Sequence, residues 1–210
     1  MAAIGGQLRH PSGLCGRLIA AAMAVANRGS NRVAINALEI KPGEMVLELG
    51  CGSGRTVRTL GALRLGRCVI GIDHSATMLK QAARLNAASL RAHRVQLLRG
   101  RIDALPLRDN AIDKILAVHV VYFADANAIR EARRVLCAGG RMVLVATDRV
   151  AMQHWHLEDS HRVYDARGLA LLLDEGGFAA KEVAIAPITL APAVRGLLAI
   201  AVKGGPANWE

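Results

Sequence analysis

Residues 46–54 read Val-Leu-Glu-Leu-Gly-Cys-Gly-Ser-Gly. Glu48 lies inside an apolar run of strand type. Gly50, Gly52 and Gly54 alternate directly behind it, with Cys51 among them. Glycines at such a place let a backbone approach a ligand closely, and the helix that reads from Arg55 to Leu65 offers its unpaired N–H groups there. The chemistry on offer is the holding of a nucleoside-bearing molecule. A dinucleotide fingerprint is G-x-G-x-x-G, whose third glycine, counted from Gly50, would fall on Arg55. The pattern here is G-x-G-x-G with an acid ahead of it.

Other reactive side chains gather downstream. Asp73 closes a second apolar run about 20 residues past the glycines, where a carboxylate accepts both ribose hydroxyls in doubly wound folds. His119, Tyr122 and Phe123 follow a fourth apolar run, and His154, Trp155 and His156 follow a fifth, with His161 and Tyr164 beyond. A histidine with a pKa near 6.5 suits general base work at neutral pH. His119, Tyr122 and His156 are therefore the candidate catalytic residues, and His119 equally suits a cofactor contact. The four cysteines, Cys15, Cys51, Cys68 and Cys137, form no C-x-x-C pair and stand at no zinc spacing from a histidine. No metal site is expected, the thiols read as reduced, and no nucleophile elbow supports Ser-His-Asp hydrolysis.

These groups need a scaffold that brings several strand ends to one edge. Strands are expected at 45–50, 68–72, 95–98, 112–118 and 141–146. Helices are expected at 55–65, 76–92 (capped by Ser75) and 126–136, the last ended by Gly139-Gly140. Strands alternating with helices mean a parallel sheet covered on both faces. The C-terminal third predicts a helix over 166–175, stopped by Gly176-Gly177. Two strands, 178–185 and 197–202, then follow, joined through Pro187 and Pro192. That joint is short for a crossover helix, so a hairpin with one antiparallel strand is expected. Before all of this, Ser12 caps a helix over 14–26.

Composition sets outer bounds. The 210 residues suffice for one domain with a sizeable core, and at 3% aromatic that core is aliphatic. The net charge of +10 suits an anionic partner. The arginines are scattered and not interleaved with aromatics, which argues against nucleic acid and leaves transient contact with an anionic membrane surface open. The apolar stretch 17–26 looks like a signal peptide, but Arg9, His10, Pro11 and Gly13 put a loop ahead of it, and it is too short to span a bilayer. A cytoplasmic location is expected.

Four segments together resemble the class I S-adenosylmethionine (SAM) methyltransferases, closest to the small-molecule branch that includes the ubiquinone and menaquinone biosynthesis enzymes. They are Val46–Gly54, Gly71-Ile-Asp-His-Ser-Ala-Thr-Met-Leu79, Gly100-Arg-Ile-Asp-Ala-Leu-Pro-Leu107 and Arg134-Val-Leu-Cys-Ala-Gly-Gly-Arg-Met-Val-Leu144. The resemblance implies a Rossmann-like, doubly wound α/β fold: a seven-stranded sheet, mostly parallel with an antiparallel last strand, in an α-β-α sandwich. It implies SAM as cofactor and methyl transfer to a small-molecule acceptor. The alternatives are methylation of a lipid headgroup, RNA or protein, and a catalytically silent SAM-binding partner protein. Residues 1–40 would form an N-terminal helical lid and 41–210 the SAM-binding domain.

The resemblance also implies roles. Gly50, Cys51 and Gly52 would lie against the amino-acid end of SAM, with Glu48 holding the loop or the methionine ammonium. Asp73 would take the ribose, and His74 and Met78 the adenine faces. The family usually reads Gly-Asp-Ala-Glu-x-Leu-Pro in the third segment, with that Asp on the adenine amino group. Here the position is Arg101, which cannot accept a hydrogen bond. The adenine edge then falls to Asp103 or to the backbone around Ile102. Ala138 stands where the family usually has proline.

Overall fold

The structure, a computed structural model, describes residues 28–148, 162–191 and 194–205. Helix α1 (Arg28–Leu38) leads into strand β1 (Met45–Leu49), and helix α2 (Arg55–Leu63) follows the glycines. Then come β2 (Cys68–Asp73), α3 (Ala76–Leu85), the short α4 (Ala87–Arg91) and β3 (Val95–Arg99). Strand β4 (Ile112–Val118), α5 (Ala126–Val135), β5 (Leu136–Thr147), α6 (Ala166–Glu175), β6 (Val183–Ala191) and β7 (Val194–Val202) complete the chain. The sheet has seven strands in the order β3-β2-β1-β4-β5-β7-β6. Strands β1 to β5 pair in parallel, and β7 runs antiparallel to both β5 and β6. This is the expected doubly wound sheet, hairpin included.

Period-2 alternation splits the strands between two cores. Val46, Val69, Leu116 and Val143 face α1 and α2, packing with Ala34, Leu38, Val57 and Leu60. Leu47, Ile70, Ile115 and Met142 face the other way, against Ile129, Ala132, Leu169 and Phe178. Both clusters are aliphatic, with Phe178 and Tyr122 the aromatics among them. Residues 28–38, part of the expected lid segment, pack here as a sheet-covering helix. Residues 1–27, with the expected 14–26 helix, lie outside the described residues.

Several boundaries moved, each for a tertiary reason. The expected helix 76–92 breaks at Asn86, whose buried side-chain amide donates to the Gly54 carbonyl at 3.0 Å and the Ala82 carbonyl at 2.9 Å. Helix α5 ends at Val135 rather than at the glycines, and Gly139 (φ +73°) lies within a long β5 whose register against β4 shifts there. Phe178 begins no strand. It is buried in a turn held by the Glu182 carboxylate, which accepts from the Ala179 N–H at 2.9 Å and the Gly204 N–H at 2.6 Å. Pro187 lies inside β6, which an edge strand tolerates because its missing N–H is not needed for pairing.

The strand order reverses between β1 and β4. In open α/β sheets, ligands bind in the crevice at the carboxyl ends of the strands at such a reversal. The glycine loop leaves β1 at that place and His119 leaves β4 beside it.

Candidate functional site

The glycine loop is held from below and from both sides. Gly50 has φ +65°, and a Cβ there would meet Val120 Cγ2 at 2.6 Å, so the loops after β1 and β4 touch and only hydrogen fits between them. Gly54, also at positive φ, is closed against Ala82 of α3 and Asn86 just after it. Gly52 differs: its φ is +52°, yet among the described residues a Cβ would meet nothing within 4 Å. The open side of the loop is at Gly52.

Glu48 is fully buried beneath α2. Its carboxyl accepts from the Thr56 hydroxyl and the Val57 backbone N–H, satisfying the first turn of a helix whose cap residue, Gly54, has no side chain to do so. Burial is the main cause that pushes its pKa up to about 8, with the nearby Asp73 charge adding to it, so the group is largely protonated at neutral pH. Among the described residues its second oxygen, Oε2, has no partner. Cys51 is buried in the loop, its N–H donating to the Ile72 carbonyl at 2.9 Å, and burial drives its thiol pKa well up. The thiol is therefore no nucleophile at neutral pH.

Asp73 is the central fixture. Its Oδ2 accepts from the Gly52 N–H at 2.8 Å and its Oδ1 from the Ser75 N–H at 2.8 Å. One carboxylate thus joins the glycine loop to the start of α3, where Ser75 caps by accepting from the Met78 N–H at 3.3 Å. Each carboxylate oxygen keeps a second lone pair. His74 is exposed, with Nδ1 3.7 Å from Asp73. Met78 is half-buried and belongs to neither apolar cluster.

Arg101 and Asp103 hold each other. Arg101 Nε donates to Asp103 Oδ1 at 2.8 Å and its Nη2 to Oδ2 at 2.5 Å, closing a tight turn over the half-buried Ile102. This pairing lowers the Asp103 pKa. The residue expected to replace the family aspartate is therefore engaged by the residue that displaced it. Behind the turn, Arg134 on α5 donates to the carbonyls of Leu105 and Leu107 and to Glu131, and Glu131 accepts from the Leu105 N–H. That network anchors the segment against α5.

At the end of β4, His119 takes a left-handed backbone (φ +57°), uncommon for residues other than glycine. Its Nδ1 lies 3.2 Å from the Tyr122 hydroxyl and its Nε2 lies 3.1 Å from Ser30 Oγ on α1. The Tyr122 hydroxyl accepts from the Thr147 N–H at 2.6 Å. It then donates to Nδ1, leaving the proton of the neutral ring on Nε2 for Ser30. The chain Thr147–Tyr122–His119–Ser30 ties β5, the β4 loop and α1 together. The expected pKa near 6.5 is corrected here: burial drives the ring down to about 4, and both nitrogens are occupied. Tyr122 is buried with its pKa raised, while Phe123 is exposed. His154, Trp155, His156 and His161 lie outside the described residues.

The folded pKa of His119 is depressed, so its contribution is fully present above 6.5 and is lost as pH falls toward about 4. A span of that size is worth about 3 kcal/mol. Urea unfolding at pH 7.5, 5.5 and 4.5 will show wild type losing about 2.5 kcal/mol more than His119→Asn by pH 4.5. Equal losses in the two chains would contradict the buried, neutral ring.

The methyltransferase domain family model matches residues 47–144. A methyltransferase of Bacillus subtilis (strain 168), YdaC, itself uncharacterized, is 30% identical over 131 residues, covering 61% of this chain and 70% of that protein. The chain belongs to the class I SAM-dependent methyltransferases. A 37.1 kDa protein in transposon TN4556 of Streptomyces fradiae is 44% identical over 126 residues, 59% of this chain. A demethylmenaquinone methyltransferase of Lactiplantibacillus plantarum is 37% identical over 107 residues, 50% of this chain. The chain spans 36% and 45% of the lengths of these two relatives. Among solved structures, a SAM-dependent methyltransferase from Aquifex aeolicus superposes with a TM-score of 0.65 at 19% identity, covering 82% of this chain and 89% of that one.

The methyltransferase cofactor, SAM, fits the residues present. The open side of the loop at Gly52, the unpartnered Glu48 oxygen and the spare lone pairs of Asp73 all lie at the sheet's point of reversal. Among the described residues no group of His, Cys, Asp and Glu could hold a metal, and no helix is long and apolar enough to cross a membrane. Sequence reasoning missed Ser30, Thr56, Asn86, Val120 and Thr147. Asn86 alone left a trace, as an asparagine inside an otherwise helical run.

Proposed function

We propose that the chain transfers the methyl group of SAM to a small aromatic acceptor bearing a hydroxyl, bound over the carboxyl ends of β4 and β5. The observation that carries this is the joint fixation of the glycine loop and α3 by Asp73, which keeps the SAM end of the site rigid. Similarity to a demethylmenaquinone methyltransferase supports the acceptor class.

When bound, SAM supplies an electrophilic methyl on a sulfonium. In this reading Gly50, Cys51 and Gly52 lie along its amino-acid end, with Glu48 fixing the loop beneath. Asp73 holds the ribose, and His74, Met78 and Ile102 flank the adenine. Asp103 serves there only if it leaves Arg101. His119 and Tyr122 shape the acceptor wall. With its ring neutral and both nitrogens bonded, His119 positions Tyr122 and Ser30 instead of taking a proton. His156 is the remaining candidate base. Alignment and exclusion of water then supply the rest of the rate.

The test is S-adenosylhomocysteine release from SAM with a panel of phenols, hydroquinones, amines and thiols, beside bulk RNA and protein. Turnover is expected with hydroquinone-type acceptors. Turnover with RNA or protein alone would overturn the acceptor class, and none with any acceptor would favour a silent binding partner. With the best acceptor, His119→Asn will lower kcat about tenfold or more while the shape of its profile from pH 6 to 8 follows wild type. A wild-type limb near pH 6.5 that vanishes in the variant would make His119 the base after all.

A further inference from the structure

A groove of about 540 Å³ lies between α1 and α2, and none of the residues assigned to the proposed SAM site lines it. The two helices lie side by side and point the same way. Ser30, near the start of α1, meets His119 at the strand-end edge, and Leu38 at its end is buried near the start of β1. Helix α2 starts at the glycine loop and ends where the Leu65 carbonyl accepts from the Gly43 N–H. The lining residues therefore sort by height. Arg32, Arg55 and Arg58 lie toward the strand-end edge, and Ile35, Leu63 and Leu85 line the rest.

Three features of the upper end point to a negative ligand. Among the described residues no carboxylate pairs with Arg32, Arg55 or Arg58, although four other arginines there, Arg101, Arg133, Arg134 and Arg141, are paired. Two of the three lie in the opening turns of α2, which has no acidic residue in its first turn, so their charges add to the positive end of the helix dipole. Residues 1–27, which lead into α1, contain no Asp or Glu, so this stretch of the chain brings no counter-charge. Like charges gathered this way raise the local potential until an anion relieves it.

The lower part asks for something else. Leu63 is 44% exposed, and neighbouring Leu65 is 42% exposed. From Arg55 to Leu63 the helix rises about 12 Å. We propose that this groove binds an anionic amphiphile, with a phosphate head on Arg32, Arg55 and Arg58 and an apolar chain along Ile35, Leu63 and Leu85. A bare anion leaves the apolar length unused, and an uncharged chain leaves the arginines unrelieved. The volume lies within the range of small-molecule sites.

Calorimetry on the full chain with decyl phosphate below its micelle concentration tests this. One molecule is expected to bind per chain. Inorganic phosphate and decanol are each expected to bind at least about tenfold more weakly. The exposed double variant Arg32→Gln/Arg58→Gln is expected to lose about tenfold and Leu63→Asn about threefold, with S-adenosylhomocysteine affinity unchanged in both. Unaltered decyl phosphate affinity in the double variant overturns the proposal, as does displacement of decyl phosphate by S-adenosylhomocysteine. Inorganic phosphate binding as tightly as decyl phosphate reduces the groove to an anion site. Binding to anionic vesicles without binding of the monomer makes it a membrane-facing patch. Either result rejects the amphiphile.

Discussion

A Gly52→Val chain is expected to fold and to fail to bind S-adenosylhomocysteine. Gly52 sits at φ +52°, where a β-branched residue is strained by about 1–3 kcal/mol. That cost is local, because a Cβ there meets no atom of the described residues within 4 Å. The new side chain instead fills the open side of the loop, the space that the proposed site gives to SAM. Its neighbours behave differently. Gly50→Ala would drive a methyl into Val120, and Gly54→Ala into Ala82 and Asn86, so those changes injure the fold itself. Calorimetry paired with urea unfolding separates the cases. Normal S-adenosylhomocysteine affinity in Gly52→Val would move the site away from this loop.

Asp73→Ala is expected to act twice. It removes two hydrogen bonds to a carboxylate, from Gly52 and Ser75, and so lowers the stability of the ligand-free chain by about 2 kcal/mol or more. It also removes the proposed ribose partner, weakening S-adenosylhomocysteine by about 1.5–3 kcal/mol beyond that. Ser75→Ala is the control. It deletes the α3 cap that accepts from the Met78 N–H, costing about 1 kcal/mol of stability, and leaves the Asp73 carboxylate in place. The expected pattern is a destabilised Ser75→Ala that binds normally and a destabilised Asp73→Ala that does not. If both bind alike, Asp73 is a loop strut and not a ribose ligand.

The layout of the sheet was legible in the residues because it rests on local patterns. Apolar runs at 45–50, 68–72 and 112–118 fall on β1, β2 and β4 within a residue. Ser75 occupies its expected cap position and accepts there. The short joint after β6 left no room for a crossover, so the hairpin followed. The glycine spacing and its acid marked the loop for the same reason: a tight approach to a ligand needs those residue types wherever the chain folds.

What each polar group does was decided elsewhere, by partners far away in sequence. His119 reads as a base until Ser30, 89 residues earlier, occupies Nε2 and burial strips the ring of its proton. Glu48 reads as holding either the loop or a ligand's ammonium, and the dry space beneath α2 holds it largely neutral. Asp103 reads as a substitute for the missing aspartate, and the Arg101 side chain claims it. Glu182 fixes a turn at Phe178 through Gly204, which no local signal announces. Backbone periodicity is a property of short segments, and residue types record it. Desolvation and hydrogen-bond partnership depend on which segments pack together, so protonation and role emerge only once the chain has closed on itself.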